Sequence, residues 1–147
     1  MKNNKKPRAA FSPKLEKVPR ATDFNSKISA TNFCWRVEEI DWEGPWGWRN
    51  ATVDVLLQKI IPKLHNFESM TWGALDGPSG SHSVNIEGLC DEAQKRLLKL
   101  RKDEQGALYS LRITGKMRVW GIRDRAIFRV LWFDPRHEVC PSLKKHT

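Results

Sequence analysis

The chain has 147 residues, enough for one compact core but not two. Its 26 Lys and Arg against 17 Asp and Glu give a formal charge of +9, which points to a polyanionic partner. With 39% hydrophobic residues, seven Trp and six Phe it is not a disordered chain, and no apolar run approaches the roughly 20 residues that span a bilayer.

The charge is unevenly placed. Residues 1–30 carry +6, residues 31–108 carry −3 and residues 109–147 carry +6. The first 30 residues hold Pro7, Pro13 and Pro19, few aliphatics and no sustained periodicity, and read as a flexible basic arm ahead of a single domain over 31–147. No apolar h-region follows the basic start, so a secretory signal is not expected and the expected location is cytoplasmic. Cys34, Cys90 and Cys140 form no Cys-x-x-Cys pair, which argues against a disulfide framework or zinc ribbon and for buried thiols.

Phe33, Trp35 and Val37 alternate with polar residues, the period of a half-buried strand, which Gly44, Pro45 and Gly47 end. From Ala51, Val53, Leu56, Leu57, Ile60, Ile61, Leu64 and Phe67 recur at helical spacing, with Pro62 expected to kink or divide the helix. Gly73 to Ser83 reads as a loop. Ile86, Leu89, Cys90, Ala93, Leu97 and Leu100 then predict a second helix with Asn85 as its N-cap. The last third reads as strands over 108–113, 116–122, 126–133 and 138–140.

Side-chain alternation sets the expected registers. A three-residue loop at Thr114-Gly115-Lys116 places Leu111 opposite Val119 and Tyr109 opposite Gly121 on one apolar face. A two-residue loop at Asp124-Arg125 places Val119 opposite Val130 and Met117 opposite Trp132, extending that face. With both helices covering it, the opposite face is expected to hold Arg112, Arg118, Trp120 and Arg129 bare. Guanidinium groups there match phosphate oxygens and an interleaved indole offers a stacking surface, a combination suited to single-stranded RNA. The plainer reading pairs these arginines with acidic residues of the middle segment and buries Trp120. Lys116 and Arg123 add candidate phosphate contacts at the rim.

His82 precedes the second helix, and His137 follows Asp134-Pro135-Arg136, so Asp134 is placed to orient an imidazole or simply to cap its own turn. An imidazole takes a proton from a ribose 2′-hydroxyl or returns one to a leaving 5′-oxygen, with arginine steadying the phosphorane. His82, His137, Asp134 and Arg112 are the candidate catalytic groups, and no metal ligand set or cofactor is expected.

The order of strand, two helices and antiparallel meander, with LYSLRITGKMRVWGIRDRAIFRVLWFDPRHEVCPS as its most similar portion, resembles the RelE/ParE-like toxin superfamily of bacterial toxin-antitoxin systems. The resemblance covers about residues 86–140. It implies an α+β fold with two helices on a twisted, mainly antiparallel sheet of four or five strands. The implied activity is metal-independent cleavage of mRNA, often on the ribosome, neutralised by a protein antitoxin. Arg112, Lys116, Arg118 and Arg123 match the family's basic strand positions. The competing expectation is a non-catalytic nucleic-acid-binding protein of a phage or mobile element.

Overall fold

The computed structural model describes residues 27–141, so the basic arm expected over 1–30 lies, but for its last four residues, outside the described residues. The architecture is α+β. Five strands, β1 (Cys34–Arg36), β2 (His82–Asn85), β3 (Ala107–Arg112), β4 (Arg118–Asp124) and β5 (Ile127–Asp134), form one open sheet in the order β1-β5-β4-β3-β2. Only the β1–β5 pair is parallel. No helix among the described residues is long and apolar enough to cross a membrane.

Helix α1 spans residues 53–68, starting at a Thr52 cap whose side chain accepts the Val55 N–H. The expected break at Pro62 is absorbed without ending the helix. Residues Leu56–Ile60 widen into a π turn, with Ile61 N–H bonding the carbonyl of Leu56. This eases the clash that proline's ring makes with the preceding turn, and Pro62 then sits in the first turn of the α-helical segment Ile61–Glu68. The expected loop over 73–83 contains two elements. Residues Trp72–Leu75 form a one-turn α2 capped by Thr71, and His82–Asn85 form the edge strand β2. Helix α3 is shorter than expected, running Asp91–Lys99 after a single 3₁₀ turn at Ile86–Gly88, and Cys90, not Asn85, stands at its N-cap. The expected strand over 138–140 is absent; Val139 there accepts the Cys90 N–H with its carbonyl at 2.8 Å.

The β3–β4 register is the expected one, with Tyr109 opposite Gly121 and Leu111 opposite Val119. The β4–β5 register differs. Asp124 pairs with Ile127, so the loop is Arg125-Ala126, with Arg125 at φ 57. Val119 faces Phe133 and Gly121 faces Val130. Between those pairs the register slips by one residue, a bulge that inserts Leu131. The bulge reverses side-chain parity, so Trp132 leaves the face it was expected to share with Phe128 and Val130, and Phe133 takes its place.

The largest correction concerns the layers. Helix α1 and α2 cover one face, packing Ile60, Leu64, Phe67, Trp72 and Leu75 on Tyr109, Leu111, Val119, Phe128 and Val130. Helix α3 covers the other, packing Ala93 and Leu97 with Leu108, Trp120, Ile122, Leu131 and Trp132. Central strands that are apolar on both faces need cover on both, at about 25 cal/mol per Å² of apolar surface buried. The sheet therefore has no bare face. Its second face is open at the end where β3 finishes and β4 begins, where His82 and Arg112 are exposed and His137 is half-buried.

Candidate functional site

At that open end the register stacks two rows of side chains on one face. In the first row Arg112 of β3 faces Arg118 of β4, which faces Asp134 of β5. In the second, His82 of β2 faces Ser110, and Ser110 faces Trp120. The turn leaving β5 adds His137. The four candidate catalytic residues named from the sequence therefore come from three strands and a turn to one end of the sheet.

Asp134 is wholly buried. Its Oδ1 accepts the Glu138 N–H at 2.9 Å, and its Oδ2 accepts the Val139 N–H at 3.1 Å and the Trp120 indole N–H at 3.1 Å. The carboxylate thus caps its own turn, and in doing so holds His137 in the left-handed conformation at φ 58. A side chain other than glycine at such an angle is strained and persists only where its surroundings fix it.

Arg118 is 8% exposed, and its Nη1 donates to three carbonyls of the β3–β4 turn: Thr114 at 2.8 Å, Met117 at 3.2 Å and Gly115 at 3.3 Å. Burial and the neighbouring Arg112 charge draw its pKa down, against the pull of Asp134. Arg112 is exposed. Among the described residues no carboxylate lies within ion-pair distance of either guanidinium.

The His137 imidazole is held below the usual histidine range. Burial is the main cause, followed by the Arg118 charge, with Asp134 opposing and His82 adding a smaller push downward. His137 is therefore largely neutral at pH 7, the state in which a ring nitrogen accepts a proton. The same interactions link His137 to Arg118, Asp134 and His82 as one electrostatic cluster. Ser110, which sequence reasoning passed over, lies at the floor of this cluster at 1% exposure, its hydroxyl without a hydrogen-bond partner among the described residues.

The remaining expected residues fall elsewhere. Trp120 shares the face but is 1% exposed beneath α3, so it offers no stacking surface for a base. Arg129 shares the face at its far end, where it pairs with Glu38 and Asp124. Arg123 is on the opposite face, its guanidinium 4.1 Å from the Trp72 ring centre and beside Asp76. Lys116 is exposed on the turn that Arg118 grips, at the same end as Arg112. Neither family models, nor curated proteins, nor solved structures gave a match to this chain.

Proposed function

We propose that the chain is a toxin-type endoribonuclease of the RelE/ParE-like kind that cleaves mRNA at this end of the sheet, using its own side chains and no metal ion. One observation carries the reading: the imidazoles of His82 and His137 share one end of the sheet with the guanidinium groups of Arg112 and Arg118, which have no carboxylate within ion-pair distance among the described residues. The antiparallel meander of β3, β4 and β5 also supports it, as does the +9 charge.

The chemistry starts from the lowered pKa of His137. Neutral His137 takes the proton of a ribose 2′-hydroxyl, whose oxygen attacks the adjacent phosphorus. The exposed Arg112 holds the non-bridging oxygens, and the Arg118 charge behind it helps to stabilise the extra negative charge of the phosphorane. His82 gives a proton to the departing 5′-oxygen. The products are a 2′,3′-cyclic phosphate and a 5′-hydroxyl. Lys116 at the rim and the arm outside the described residues contribute sequence-independent affinity for the strand. A cytoplasmic protein of this activity requires an antitoxin that shields the patch.

The test is RNA cleavage and growth arrest by His137→Ala and His82→Ala proteins. Each is expected to cleave about 10²- to 10⁴-fold more slowly, with binding of a 2′-deoxy analogue retained. Wild-type protein that binds RNA in a salt-dependent way and leaves it intact would overturn the enzymatic reading in favour of a non-catalytic nucleic-acid-binding protein.

A further inference from the structure

The turn before β2 contains two glycines at almost the same backbone angle, Gly77 at φ +82 and Gly80 at φ +80. Their surroundings differ. A Cβ at Gly77 would meet nothing within 4 Å, whereas a Cβ at Gly80 would lie 2.8 Å from Cδ and 3.1 Å from Nη1 of Arg112. The Arg112 side chain thus passes over the bare Cα of Gly80. The Arg112 main chain is held in the same neighbourhood, its N–H donating to the buried Ser81 hydroxyl at 3.0 Å.

Gly80 also touches the other half of the cluster. Its carbonyl oxygen lies 3.2 Å from Nδ1 of His82. A carbonyl only accepts, so Nδ1 is the protonated nitrogen in this contact and Nε2 is left to exchange a proton. One main-chain position therefore fixes the ring of one candidate catalytic group and the path of the arginine beside it.

We propose that Gly80 is a positioning residue: its carbonyl orients His82 through Nδ1, and its missing side chain makes the channel in which Arg112 reaches the phosphate. The role deepens the ribonuclease reading and takes its meaning from it, but its test does not depend on cleavage. Any side chain at Gly80 displaces Arg112, whereas the same change at Gly77 brings the same backbone strain and nothing else.

The experiment compares Gly80→Ala with Gly77→Ala in the full chain. Stability is measured by urea unfolding, Arg112 Nε–H and the His82 ring nitrogens by NMR without nucleic acid, and binding with an all-deoxy oligonucleotide that is not cleaved. Both variants are expected to lose similar stability from the shared positive φ. Only Gly80→Ala is expected to move the Arg112 and His82 signals and to weaken oligonucleotide binding by tenfold or more. Should Gly80→Ala fail to fold alone, the double variant Gly80→Ala/Arg112→Ala removes the clash. It is expected to fold with the stability of Gly77→Ala/Arg112→Ala.

Equal NMR shifts and equal binding loss in the two single variants would overturn the positioning role, as would a double variant that gains nothing from losing Arg112. A wild-type protein that fails to bind the oligonucleotide would count against the ribonuclease reading, and the NMR comparison would still decide the role of Gly80.

Discussion

Arg112 and Arg118 stand directly opposite one another on β3 and β4, two like charges in cross-strand register with no ion-pair partner among the described residues. Such a pair destabilises a sheet, where an opposite-charge pair would contribute about 0.2–1 kcal/mol. A phosphate-bearing ligand at this position would neutralise the repulsion. Arg112→Leu is therefore expected to leave stability unchanged or raise it by up to about 0.5 kcal/mol. The same change is expected to reduce the slope of log binding constant against log salt by about 1, because one phosphate contact is lost. Urea unfolding and RNA titrations at several salt concentrations measure the two effects on one protein.

The lowered pKa of His137 makes a signed prediction. A general base works in its unprotonated form, so the acid limb of kcat/KM against pH is expected to have its midpoint below 6.5. Arg118→Met removes one of the groups that depress it, leaving burial and His82 against Asp134, and the midpoint is expected to move upward. The imidazole resonances of His137 in an NMR titration report the same shift without substrate. The linked stability runs in the same direction. A histidine whose folded pKa is lowered contributes stability that is complete above the unfolded value and is lost as pH falls through the folded one. A midpoint at or above 6.5, unmoved by Arg118→Met, would remove His137 from the role of base.

The β3–β4 register was legible because Arg112 and Arg118 sit next to Leu111 and Val119, so a miscount by one would have put Leu111 opposite Arg118. That count also placed Arg112 and Arg118 together, and the turn motif placed His137 beside Asp134. Three features were not legible. The bulge at Leu131 leaves no trace in VLWF, since residues on both sides of it are apolar and suit either face. β2 is an edge strand whose His82, Ser83 and Asn85 are exposed, so it carries no hydrophobic period. The burial of Trp120 depends on where α3 lands, which the helix's own apolar positions Ala93 and Leu97 do not specify.

Asp134 links the candidate site to the fold, because one buried carboxylate satisfies two backbone N–H groups and the Trp120 indole. In Asp134→Asn one oxygen becomes an NH₂ group facing donors it cannot accept from. Leaving a buried donor unsatisfied costs about 1–3 kcal/mol, more where the lost partner was charged. The variant is expected to lose about 3 kcal/mol in urea unfolding, near the upper end of that range. The loss is expected to be accompanied by weakened amide-exchange protection at Glu138 and Val139 and by a changed His137 environment. A variant as stable as wild type would show that the turn does not depend on the carboxylate.

The second buried carboxylate stabilises the fold away from the site. Asp41 is 6% exposed and accepts from Arg96 at 2.8 Å through both Nε and Nη2, and from the Trp132 indole at 2.9 Å. This joins α3 to β5 and to the segment after β1. Burial pushes the Asp41 pKa up, but the bonds from Arg96 and Trp132 outweigh it and the net shift is downward. Its contribution to stability is therefore present above the ordinary carboxylate value of 3.8 and is lost as pH falls through the folded one. Removing Arg96 leaves the burial penalty with only Trp132 and the Glu43 N–H to oppose it, so Arg96→Ala is expected to cost about 3–5 kcal/mol at neutral pH. In that variant the carboxyl binds its proton more readily in the folded state than wild type does. The deficit is thus expected to shrink as pH is lowered toward about 4, near the intrinsic carboxylate range. Urea unfolding of both proteins at the two pH values checks the sign, and a deficit that grows on acidification would contradict the assignment of Arg96 as the partner that keeps Asp41 ionised.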